Sequence, residues 1–181
     1  MGDEFQRPVR YGGPIFELIR TALAREHRQL HRLKSAARSE INSIHQFEEG
    51  WIQYVIFKAA IRRPFPGVTV CCEISKHSTR ADLALVSRDN KPLVSVEFKS
   101  GKPNTDLRHG VLKDLSPQRN RDYRERYVAV LVYGAGETNK RWAERIKHET
   151  ASSLRSSTIG RGPDAGKSVQ LYFFGFTHTG T

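Results

Sequence analysis

The sequence predicts a mixed α/β domain. Three observations carry that prediction: short alternating apolar and polar stretches between residues 68 and 99, a continuous apolar run at 127–133, and segments of helical spacing before and after them. A chain of 181 residues is about one domain's worth and can bury a core without covalent staples. Its 38% hydrophobic content, nine Phe and six Tyr argue for folding rather than disorder.

The elements follow in order. Residues 1–13, with Gly2, Pro8, Gly12 and Gly13, read as a loose leader. Pro14 suits a first helical turn, and Ile15, Leu18, Ile19, Leu23, Leu30 and Leu33 recur at near-helical spacing. Arg20, Arg25, Arg28 and Arg32 lie between them as a basic face. One helix or two form this N-terminal arm, so the division expected is 1–38 for leader and arm and 39–181 for the main domain. A second helix is expected over about 39–62, with Ile41, Ile44, Trp51, Ile52, Val55 and Ala59 on one face.

Glu48 falls within that stripe, and a core-facing carboxylate is costly unless it is paired or binds a metal. Glu49 lies toward the flank and reads as a surface residue; spacing alone leaves the choice between the two open. Pro64, Pro66 and Gly67 end the helix. Three strands follow, at 68–74, 82–86 and 93–99, joined closely enough for an antiparallel meander. A helix carrying Leu107, Val111, Leu112 and Leu115 comes next, with a short continuation from Pro117 to about Arg126. The run YVAVLVY is a strand buried on both faces. After a glycine turn come a basic helix over about 138–154, a Ser/Gly loop at 156–168 and a last strand at 169–176.

Composition excludes several classes. No apolar run approaches the roughly 20 residues that cross a bilayer, and no apolar segment follows Met1 as in a secretion signal. Two adjacent cysteines, Cys71 and Cys72, supply neither a disulfide framework nor a four-thiolate zinc site and read as reduced thiols, so a cytoplasmic location is expected. The seven histidines show no paired zinc spacing. Gly166-Lys167-Ser168 resembles the end of a phosphate loop, but Arg161 stands where that loop needs glycine, and a strand follows instead of a helix. Thirty Lys and Arg against nineteen Asp and Glu give net charge +11, which attracts polyanions; a basic surface with no dedicated partner is the plainer reading.

The chemistry-bearing residues cluster. Glu97 and Lys99 are two apart on a strand and leave the same face, while Val96 and Phe98 face the other way. Asp82 opens the preceding strand, where a hairpin brings it alongside Glu97. Neighbouring carboxylates repel unless a hard divalent cation with oxygen ligands joins them. Singly, these residues read as the alternating charges of an exposed strand.

Together, the helix with Glu48, the strand opening at Asp82 and the segment Glu97-Phe98-Lys99 resemble the PD-(D/E)xK nuclease superfamily, with Ala81 standing where the motif's name has proline. The resemblance implies a restriction-endonuclease-like αβββαβ core over about 39–133, with a mixed central sheet flanked by helices. It implies that Asp82, Glu97 and the Phe98 carbonyl ligate Mg²⁺, with Mn²⁺ able to substitute. Glu48 would complete the metal site, and Lys99 would position the attacking water and steady charge on the phosphorane. The implied activity is metal-dependent hydrolysis of phosphodiester bonds in DNA, with a homodimer as the candidate assembly for cutting two strands and no membrane partner.

Candidate nucleic-acid contacts are Arg80 before Asp82, Lys102 and Arg108 after the motif, Gln118 where the family often places a polar residue, and Arg119 in the following basic segment. Arg80 reads equally as part of a basic loop, surface is the plainer reading of Gln118, and the basic segment with Arg119 also reads as a solvated helix face. The alternative function is a nucleic-acid-binding or assembly module of the same fold with little or no cleavage. A third is an interaction protein whose N-terminal helices do the work.

Overall fold

The computed structural model describes residues 10–37, 49–76, 79–119, 121–162 and 164–177. These form an α/β protein with four helices and a six-stranded open sheet, in the order α1 (Gly12–Ala37), α2 (Glu49–Arg62), β1 (Val68–Lys76), β2 (Thr79–Ser87), β3 (Pro92–Gly101), α3 (Thr105–Asp114), β4 (Glu125–Ala135), α4 (Gly136–Thr150), β5 (Ser153–Arg161) and β6 (Lys167–Thr177). The spatial order is β1-β2-β3-β4-β6-β5. Tight connections make β1–β2 and β2–β3 antiparallel, and the α3 crossover makes β3–β4 parallel. The sheet closes with antiparallel β4–β6 and β5–β6 pairs, so it is mixed.

Helices cover both faces. On one, Ile15, Ile19 and Leu23 of α1 and Ile52 and Ile56 of α2 pack against Leu83, Leu85, Val94, Val96 and Phe98. On the other, Val111 and Leu115 join Ala143 and Ile146 of α4 over Val128, Val130 and Val132. From Glu125 to Tyr133 strand β4 therefore has no solvent face, which is why the run at 127–133 is continuously apolar. At about 1.5–3 kcal/mol for each large apolar side chain fully buried, this two-sided packing makes β4 a firm frame for β3. Glu97 pairs in register with Val128 and Lys99 with Val130.

The start of α1 is held from β4. Its first turn carries no acidic residue. Buried Glu125 supplies the negative charge instead, accepting from the Tyr11 N–H at 3.0 Å, the Gly12 N–H at 3.1 Å and the Tyr127 hydroxyl at 2.6 Å. Glycine is needed at position 12, since a Cβ there would lie 2.3 Å from the Tyr127 hydroxyl oxygen. Among the described residues no helix is long and apolar enough to cross a membrane.

The N-terminal arm, expected as one helix or two, is one helix, and it shares the core of α2 and the sheet. Three expectations change. The buried face of α2 is Ile52, Ile56 and Ala60; Trp51, Val55 and Ala59 lie one position round and line a cleft against α1. The continuation expected from Pro117 is a series of turns, because the Arg126 guanidinium takes the carbonyls of Ser116, Pro117 and Arg119 at 3.1, 3.0 and 2.9 Å. The first part of the expected loop at 156–168 belongs to β5, an edge strand in which only Ile159 is buried, and its last two residues open β6. The part of the second helix expected before Glu49 lies outside the described residues, as does residue 48.

Candidate active site

The β2–β3 ladder runs to Leu83–Val96 and stops. The next position on β2 is Asp82, whose Oδ2 accepts the Phe98 N–H at 2.7 Å in place of a strand carbonyl. One carboxylate therefore lies against the backbone of the Glu97-Phe98-Lys99 segment, within hydrogen-bonding reach of the Glu97 carboxyl. Burial raises the Asp82 pKa above its ordinary value; Asp114 adds to that, while the Phe98 N–H, Lys99 and Glu97 oppose it.

Glu97 is 3% exposed on the face that α3 covers. Arg119 from the turn after α3 approaches it, with Nη2 3.5 Å from Oε1. The same guanidinium lies 3.7 Å from Asp114, the last residue of α3, whose side chain is 7% exposed. Asp114 also pairs with Lys99 at 3.3 Å. Lys99 Nζ donates to the Phe98 carbonyl at 3.0 Å and lies 3.6 Å from Glu49, while the Ser100 N–H donates to Glu49 at 3.2 Å. Burial works against the Lys99 charge, but Asp114, Glu49 and Asp82 outweigh it and raise its pKa. The ammonium is therefore held protonated at neutral pH.

Four carboxylates (Glu49, Asp82, Glu97, Asp114) thus surround two cations (Lys99, Arg119). The surplus of negative oxygen fits a hard divalent cation. Among the described residues no three His, Cys, Asp or Glu side chains form a ready-made metal cluster. What converges is two carboxylates, Asp82 and Glu97, beside the Phe98 carbonyl, with the carbonyl and Glu97 attended by the cationic ends of Lys99 and Arg119. That donor set is all oxygen, as Mg²⁺ or Mn²⁺ requires, and both attending cations lie on flexible stems. A cleft of about 320 Å³ opens on the Lys99 side of these groups, lined by Glu49, Lys99, Lys102 and Asn104 among others but not by Asp82 or Glu97.

The remaining sequence candidates fall as follows. Glu48 lies outside the described residues, as does the side chain of Arg80. The carboxylate that α2 brings to Lys99 is Glu49, which spacing had placed on the surface. Lys102 is exposed on the cleft wall, and Gln118 is exposed beside Arg119. Arg108 pairs with Glu149 of α4, so its charge bridges two helices. Sequence reasoning missed Asp114; its only signal was an acidic residue ending an amphipathic helix.

No family model matches this chain, and neither do the curated proteins nor the solved structures compared with it.

Proposed function

We propose that this chain is a metal-dependent nuclease of the PD-(D/E)xK type, hydrolysing phosphodiester bonds in DNA. The order α2-β1-β2-β3-α3-β4, with β3 and β4 parallel, supports a restriction-endonuclease-like core. The observation that carries the reading is the meeting of Asp82 with the Glu97-Phe98-Lys99 segment at the end of the β2–β3 ladder, a group of carboxylates on a basic protein.

Asp82, Glu97 and the Phe98 carbonyl are the groups that would hold Mg²⁺ or Mn²⁺. When bound, that ion supplies Lewis acidity and lowers the pKa of a coordinated water. Lys99, kept cationic by Asp114, Glu49 and Asp82, orients the attacking water and offsets charge that builds on the phosphorus oxygens. Arg119 balances the buried Glu97 charge, and its length lets it move from Glu97 to a phosphate. Glu49 ties the start of α2 to Lys99 and Ser100 and so holds the lysine in place. Lys102 and Gln118 are exposed beside this centre and serve as phosphate contacts.

A second reading is a binding module of the same fold that cleaves weakly or not at all; the Arg119–Glu97 pair favours it, because a guanidinium already occupies a carboxylate the metal needs. The test is incubation of plasmid, linear and single-stranded DNA, and RNA, with Mg²⁺, Mn²⁺ or EDTA, using the wild type and Lys99→Ala. Cleavage of DNA that is lost with EDTA and in the variant supports the nuclease. Binding without cleavage supports the module.

A further inference from the structure

A second feature lies between the first two helices, where α1 and α2 leave a cleft of about 390 Å³. Its floor is apolar, with Leu18 and Ala22 from α1 and Val55 from α2. Two aromatic rings line it: half-buried Trp51 and Tyr54, which is 57% exposed. Arg25, Lys58, Arg62 and Arg63 form the rim, all exposed, against a single lining carboxylate, Glu26. Among the described residues no carboxylate pairs with any of those four cations, and Lys58 lies over the Tyr54 ring at 5.6 Å.

We propose that this cleft binds an unpaired stretch of nucleic acid and leads it to the candidate active site; the choice of ligand rests on the nuclease reading. The cations select a polyanion. The ring faces select bases that are not paired, because stacking on an aromatic side chain requires a splayed base. A second copy of the chain is a poor occupant, since a net charge of +11 on each copy sets like charges against one another. Helix α2 links the two places: Glu49, which touches Lys99, opens it, Trp51 follows two residues on, and Lys58 and Arg62 stand about 14 and 20 Å along from Glu49.

Fluorescence anisotropy of a labelled oligo(dT), read in EDTA against a blunt duplex of equal length, tests the proposal. Lys58→Gln/Arg62→Gln/Arg63→Gln should weaken oligo(dT) binding at least 10-fold and flatten the log affinity–log salt slope by about 2, at about 0.7 per cation lost on a single strand. Arg25→Gln, on the opposite wall, should act in the same direction. Tyr54→Ala should weaken oligo(dT) binding about 5-fold or more and leave duplex binding unchanged. All five positions are exposed, and thermal melts confirm that each variant folds. Wild-type binding by these variants overturns the proposal. So does a duplex affected equally, with no effect of Tyr54→Ala. A wild-type dimer in sedimentation that the triple variant abolishes, with oligo(dT) binding unchanged, overturns it in favour of a second copy. Because binding is read without metal, wild-type cleavage in Mg²⁺ with no cleft effect on binding removes only the cleft. Cleft-dependent binding with no wild-type cleavage removes only the nuclease.

Discussion

Arg119 reaches back from the turn after α3 to place its guanidinium 3.5 Å from the carboxylate of Glu97, a residue buried in the middle of the sheet. The turn is fixed by Arg126, which binds three of its carbonyls, so the position of Arg119 is built into the backbone. Removing one partner of a buried pair costs about 3–5 kcal/mol, and the partial exposure of Arg119 reduces that to about 1–3 kcal/mol. Arg119→Gln should lower stability to urea by that amount. Millimolar Mg²⁺ should stabilise the variant more than the wild type, because the ion no longer competes with the guanidinium.

The pH dependence of stability should carry the mark of Asp82. Burial raises its pKa, so the folded chain holds that proton to higher pH than the unfolded chain does. The resulting stabilisation is complete below the ordinary carboxylate pKa of about 4 and is lost as pH rises through the raised value. At neutral pH the ionised carboxylate is therefore a burden on the fold. Asp82→Asn, which keeps an oxygen for the Phe98 N–H, should melt above the wild type at pH 7, by a margin that shrinks toward pH 4, and should not cleave.

Lys99 should behave as a fixed cation. Lys99→Ala should lower the cleavage rate about 10²–10⁴-fold, and Lys99→Arg should restore part of it. The raised pKa keeps the charge through neutral pH and loses it only above the ordinary lysine range. The wild-type rate should accordingly show no fall between pH 6 and 9; a descending limb near pH 8 would count against this role for Lys99.

Glu49 and Glu48 make a matched pair of variants. Glu49→Gln removes the charge beside Lys99 and should lower cleavage about 10–100-fold, as loss of an outer partner does in metal sites. Glu48→Gln, compared in the same assay, should have the smaller effect.

Glu125 supplies a structural control. Glu125→Ala strands two backbone N–H groups and the Tyr127 hydroxyl, for a loss of about 2–4 kcal/mol in urea unfolding, with cleavage per folded molecule unchanged.

The strands that position the site were legible because alternation at 68–74 and 93–99 and continuous apolarity at 127–133 are direct consequences of one- and two-sided burial. Strand β5 was not, because an edge strand with one buried residue carries little hydrophobic pattern. Asp82, Glu97 and Lys99 stood out through their spacing around a hairpin. Asp114 did not, because its pairing with Lys99 depends on how α3 folds back over β3, a relation that no local period encodes. The choice between Glu48 and Glu49 stayed open in the sequence for a related reason: the stripe Trp51, Val55, Ala59 read as core faces α1, and that rotation of the helix brings Glu49 to Lys99, while Glu48 lies outside the described residues.

The central claim is that Asp82 and Glu97 jointly hold a divalent cation that cleavage requires. Mn²⁺ binding followed by electron paramagnetic resonance, alongside DNA cleavage by the same preparations, tests it most directly. The account predicts that the wild type binds Mn²⁺ and cleaves, and that Asp82→Asn and Glu97→Gln, each folded by thermal melt, lose both together. Mn²⁺ binding and cleavage that persist in both variants, or a wild type that neither binds the ion nor cuts, would contradict it.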